Sequence, residues 1–184
     1  MISRLLTEHD HIQKMLNLLE ILFLNLCRGR TPDYPMILSI IVYVQEYPEQ
    51  THHPLEDAIF SHLIKKKREG SKLAAGLIKD HTELEIITRK LRKYLELLKS
   101  GDFTEREVLP QKLLTFLVRQ RNHLYVEEMK LYPLINSTFT EHDWSAIEAI
   151  VPDIDDPVFG ERTQSAYELL YREIQGNANQ DNIR

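Results

Sequence analysis

Cysteine is almost missing from this chain: Cys27 is the only one. No intrachain disulfide can form, and no cysteine cluster can hold a metal. Glycine and proline are also sparse, at six and eight in 184 residues, which argues against low-complexity linkers. Long apolar runs are missing too. The best, MILSIIVYV at 36–44, falls far short of the roughly 20 residues that a membrane span requires. The opening MISRLLTEHDH meets charge too early for a secretory signal. No membrane role is expected, and a reduced, cytoplasmic location is the default. A formal charge of −5 argues against a general nucleic-acid binder, though not against a local basic patch. With 42% hydrophobic and 28% charged residues, the composition is that of a globular domain with a substantial core. The oddity is histidine, of which there are eight.

Nothing in the chain reads as alternating strands. Leu5, Leu6, Ile12, Leu16, Leu19 and Leu22 recur at helical spacing over 3–27, and Gly29 ends the run. Thr31-Pro32 opens a second helix reaching about Lys67, interrupted by Pro48 and Pro54. A third runs from the Gly70-Ser71 turn to about Lys99. Thr104 with Glu107 resembles a capping box for a fourth, ending near Asn136. Four long helices with short connections predict an all-α, up-down-up-down four-helix bundle over 1–136. Residues 137–184 are expected to form a short helical extension packed on it. Thr140 would cap one helix there, and Arg162 to Ile174 would form another. Pro152 to Phe159 would link them, and a polar end at 176–184 would fray.

The bundle contains a repeat. HHPLEDAIFSHLI (52–64) lies over HLYVEEMKLYPLI (123–135) without a gap, placing His52 on His123, Glu56 on Glu127 and Asp57 on Glu128. TEHDHI (7–12) lies over KDHTEL (79–84), placing Glu8-His9 on Asp80-His81. The offsets nearly agree, at 71 residues from 52 to 123 and 72 from 9 to 81. The chain therefore reads as a duplicated helical hairpin, H…HxxxE…H…HxxxE. Residues i and i+4 share a helix face, so each HxxxE helix delivers an imidazole and a carboxylate to one point. The lone-histidine helices each add an imidazole. Four nitrogens and two carboxylates able to bridge suit a pair of first-row metals. Magnesium or calcium would ask for mostly oxygen, and structural zinc would stop at four ligands. Buried without metal, these groups would leave costly unpaired polar atoms.

The spaced motif, with His52-His53-Pro54-Leu55-Glu56 at its centre, resembles the hemerythrin-like HHE cation-binding family over about residues 3–136. The resemblance implies a bundle holding two non-haem irons, oxo- or hydroxo-bridged, with His9, His52, Glu56, His81, His123 and Glu127 as metal ligands. The oxygen-carrying hemerythrins place two ligand histidines four apart on the third helix. Here Leu77 stands four before His81, so a nitrogen is lost and both irons would keep open positions. What is implied is binding, sensing or reaction with oxygen, nitric oxide or peroxide rather than oxygen carriage. The alternative is a metal-stabilised helical binding module in signalling or iron homeostasis, without redox chemistry.

Several neighbours need separate readings. His53 points about 100° from His52 on a regular helix and reads as a packing or solvent-facing residue. Pro48 and Pro54 predict a helix distortion beside the site. Glu85, four after His81, is the best-placed seventh ligand, while Tyr47 and Tyr125 lie near ligand helices. Asp57 and Glu128 sit one step past the expected ligand acids, and Glu8 and Asp80 point off-axis. His11 reads as surface, and KKKRE (65–69) as a solvated helix end. His62 and His142 carry no assignment.

Overall fold

The computed structural model describes residues 1–101, 106–148, 156–160 and 167–181. Helix α1 (Ile2–Cys27) ends at Arg28, and Gly29 follows with φ of +75°, the left-handed conformation that glycine accepts freely. Helix α2 (Tyr34–Glu46) starts slightly later than Thr31-Pro32 suggests, because Asp33 is its cap. The Asp33 carboxylate accepts the Met36 N–H at 2.9 Å.

The second arm of the bundle then passes through a π turn, Pro48–His52, into α3 (His53–Lys65). The His53 N–H donates to Pro48 O, five residues back. Pro54 explains this. It has no N–H to offer, and its ring presses on the carbonyl four residues earlier; a wider turn relieves both. The predicted distortion is therefore a π turn that keeps the arm continuous.

Helix α4 (Ser71–Lys99) forms the third arm. The bend before it needs glycine at Gly70 twice over. Its φ is +86°, and a Cβ there would lie 3.2–3.3 Å from Leu134 and Leu131. The fourth arm consists of α5 (Leu109–Val126), a second π turn at Glu127–Leu131, and α6 (Tyr132–Thr138). Again the residue before a proline, Tyr132 before Pro133, closes the turn by donating to Glu127 O. This second distortion carries the same sequence signal as the first. Thr104, half of the expected capping box, lies outside the described residues.

The chain is an all-α helical bundle, with no strand among the described residues. Its core has two apolar layers. One contains Met15, Leu16, Ile37, Ile41, Leu95 and Phe116. The other contains Leu5, Leu55, Phe60, Leu63, Leu77 and Leu131. On each ligand-bearing arm the expected site residues fall between these layers.

Beyond the bundle, α7 (Glu141–Glu148) packs on α3, and α8 (Glu168–Asp181) packs on α1 and α2. Thr140 does cap α7. Its Oγ1 and N–H both donate to Asp143 Oδ2, at 2.8 and 2.9 Å. Asp143 also accepts from Arg68 at 2.9 Å and lies 2.8 Å from His62 Nε2. Arg68 is thus a tether rather than part of a solvated helix end. His11 is not a surface residue either, being 3.2 Å from Asp156 and stacked on Phe159 at 4.2 Å. Helix α8 runs past the predicted end at Ile174 to Asp181. Residues 149–155, 161–166 and 182–184, parts of the expected link, last helix and frayed end, lie outside the described residues.

Candidate metal centre

The four arms bring His9, His52, Glu56, His81, His123 and Glu127 into one buried cluster, none more than 4% exposed. Helical spacing does most of this. On α4 the inward residues step alternately by four and three, through Leu77, His81, Leu84, Thr88 and Leu91. The inward position after His81 is therefore Leu84. Glu85, the expected candidate for a seventh ligand, instead faces solvent and pairs with Arg89 at 3.4 Å.

The two carboxylates lie between two pairs of histidines. Glu56 Oε1 is 3.5 Å from His9 Nε2 and 3.4 Å from His52 Nε2, while Oε2 is 3.3 Å from His81 Nε2. Glu127 reverses the arrangement. Its Oε1 is 3.3 Å from His81 Nε2 and 3.1 Å from His123 Nε2, and Oε2 is 3.6 Å from His9 Nε2. Each carboxylate thus reaches both sides.

The outer nitrogens of the rings are held by a second ring of acids, also duplicated. His9 Nδ1 meets Glu128 at 2.9 Å, and His81 Nδ1 meets Asp57 at 2.7 Å. His52 Nδ1 meets Glu8 at 2.6 Å, and His123 Nδ1 lies 3.9 Å from Asp80. A carboxylate on Nδ1 fixes the tautomer and orientation of a ring and leaves Nε2 free to bind a cation. Glu8 is therefore not off-axis: it is buried and holds His52, with Arg4 at 2.8 Å and the Tyr47 hydroxyl at 3.4 Å behind it. Asp80 is drawn outward by Arg119 at 3.1 Å.

Two polar residues break the symmetry. Tyr132 donates its hydroxyl to Glu56 Oε1 and lies 3.0 Å from His9 Nε2. The sequence reading missed it, since five residues beyond Glu127 is off-face on a regular helix; the π turn brings it around. Tyr125, by contrast, is 56% exposed and takes no part. His53 is buried and stacked on the His81 ring, with centroids 4.3 Å apart and planes 5° from parallel. It is therefore not solvent-facing, and its ring packs within the cluster.

Electrostatics keep the groups of the cluster charged. Burial would raise the Glu56 carboxyl, but His52, with His81 and His9, pulls it well below the usual range. Glu127 is likewise lowered, with His123 and His81 outweighing burial and the Glu56 charge. Burial would lower His52, yet Glu56 and Glu8 push it up to about 10. Against the same burial, Asp57, Glu127 and Glu56 push His81 up to about 12. A metal binding to these rings would compete with their protons.

The donor set fits a metal. His52 Nε2, His123 Nε2, Glu56 Oε2 and Glu127 Oε2 are buried without a hydrogen-bond partner, an arrangement native proteins rarely tolerate. The potential ligand atoms also gather closely enough for an ion in two groups: His9, His52 and Glu56, and His53, Glu56, His81 and His123.

Comparison with known families agrees. Residues 1–135 match the hemerythrin HHE cation binding domain. The chain belongs to that family. No curated protein and no solved structure matches it. As an HHE domain it is a metal-binding helical bundle, and no described helix is long and apolar enough to cross a membrane.

Proposed function

We propose that this HHE domain holds two non-haem irons, bridged by Glu56 and Glu127. His9 and His52 would serve one iron, and His81 and His123 the other. The pair would bind, sense or react with oxygen, nitric oxide or peroxide. The carrying observation is that four histidine Nε2 atoms and two carboxylates face one another, with four of those atoms lacking any other partner. A di-iron pair, when bound, supplies reversible one- and two-electron chemistry toward small oxidants.

The residues of the chain define the rest. Glu128, Glu8 and Asp57 hold the Nδ1 atoms, so that the rings present Nε2 in fixed orientations. Leu5, Leu55, Leu77 and Leu131 exclude water on one side, and Ile12 and Leu16 on the other. Burial, with the Glu56 and Glu127 charges, raises the Tyr132 hydroxyl well above its ordinary value. It stays protonated and can donate to a small polar ligand in place of Glu56. A surface groove lined in part by Gly70, Gly76, Leu77, Asp80 and Val126 runs over the outside of the apolar layer that contains Leu77.

Anaerobic loading with ferrous iron, followed by separate additions of oxygen, peroxide and nitric oxide, tests this reading. The visible spectrum should change with at least one of them. An iron-loaded protein that is unchanged by all three would instead be the metal-stabilised binding module.

A further inference from the structure

We propose that His53 is a seventh metal ligand, completing the donor set on the His81 and His123 side. The inference rests on the metal centre proposed above and adds a residue to it.

His53 is 6% exposed, and among the described residues nothing is hydrogen-bonded to its ring. That distinguishes it from His9, His52 and His81, whose Nδ1 atoms each hold a carboxylate. Among the described residues, no hydrogen bond to a protein group therefore fixes the His53 ring or occupies its nitrogens. The ring stacks on His81 and meets His123 edge-on, with centroids 5.8 Å apart. One of its nitrogens lies within 4.8 Å of ligand atoms on Glu56, His81 and His123.

The local backbone explains how consecutive histidines can face one centre. On a regular helix His53 would point about 100° from His52. Here its N–H closes the π turn by bonding to Pro48 O, and the wider turn swings His53 inward. Pro54 forces that turn, so the His-His-Pro order places the ligand. The duplicate confirms that the position is specialised: His53 aligns with Leu124, buried and apolar. Tyr132, the residue closing the other π turn, aligns with Ser61 and lies on the His9 side. The two halves therefore differ in kind, with three imidazoles on one side and two imidazoles and a phenol on the other.

Anaerobic titration of metal-free protein with Co(II), read by visible absorption and by metal retained on gel filtration, tests this. Wild type should bind about two equivalents. His53→Leu, which installs the residue of the duplicate, should keep one equivalent while binding the other at least about tenfold more weakly, with changed absorption bands. His53→Gln, which keeps size and polarity should the leucine variant not fold, should show the same loss. Two equivalents bound with wild-type affinity and spectrum in either folded variant would overturn ligation by His53 and leave the six-residue centre standing. A wild type that takes up no Co(II) would overturn both.

Discussion

Glu8 Oε2 lies 2.6 Å from His52 Nδ1, so the acid beside one expected ligand on the first arm fixes the ring of another on the second. Its counterpart in the repeat, Asp80, is 3.9 Å from His123 Nδ1 and is engaged by Arg119. The two should differ in consequence. Glu8→Ala is expected to weaken metal binding by about 10–100-fold, and Asp80→Ala by clearly less. Competition with a chelator of known affinity would measure both, and equal losses would show that the difference in distance does not matter.

Tyr132 donates its hydroxyl to the Glu56 carboxylate. Tyr132→Phe removes a donor from a buried charge, which costs about 1.5–3 kcal/mol. Metal would replace that donor, so the loss should be larger in metal-free than in metal-loaded protein. Urea unfolding of both forms checks this. Equal losses would assign Tyr132 to packing alone.

Asp143 links α3 to the segment after the bundle. Its carboxyl is held well below the ordinary range by His62, with the Thr140 N–H and hydroxyl and Arg68 adding to it. A folded value below the unfolded one gives stability that is full above the unfolded value, about 3.9, and is lost as pH falls through the folded value. Asp143→Asn should therefore melt a few degrees below wild type at pH 7. The gap should narrow as pH drops from 4 toward 2. A gap independent of pH would mean that shape rather than charge makes the tether.

The convergence of His9, His52, Glu56, His81, His123 and Glu127 was legible because i, i+4 spacing and a near-constant repeat offset are properties of the chain itself. So was the bundle, since four amphipathic runs with short connections have few ways to bury their faces. Side-chain direction around the prolines was not legible. Pro54 signalled a break, but not that a π turn would absorb it and swing His53 inward, and Pro133 did the same for Tyr132. Glu85 misled because i+4 is only one of the two steps a buried face takes, and α4 takes three after His81. The contacts of Glu8 with His52 and of His11 with Asp156 join residues 44 and 145 positions apart. No local pattern carries such pairings.

The proposed chemistry requires the cluster to bind a pair of metals. Iron analysis of protein purified anaerobically, beside Glu127→Ala prepared in the same way, tests that most directly. Wild type should carry close to two irons per chain. The variant should carry well under half as much and unfold more readily, because a bridging carboxylate serves both ions and metal binding is coupled to folding. Metal-free wild type of undiminished stability that takes up no iron on reconstitution, or a Glu127→Ala protein with the same iron content as wild type, would contradict it.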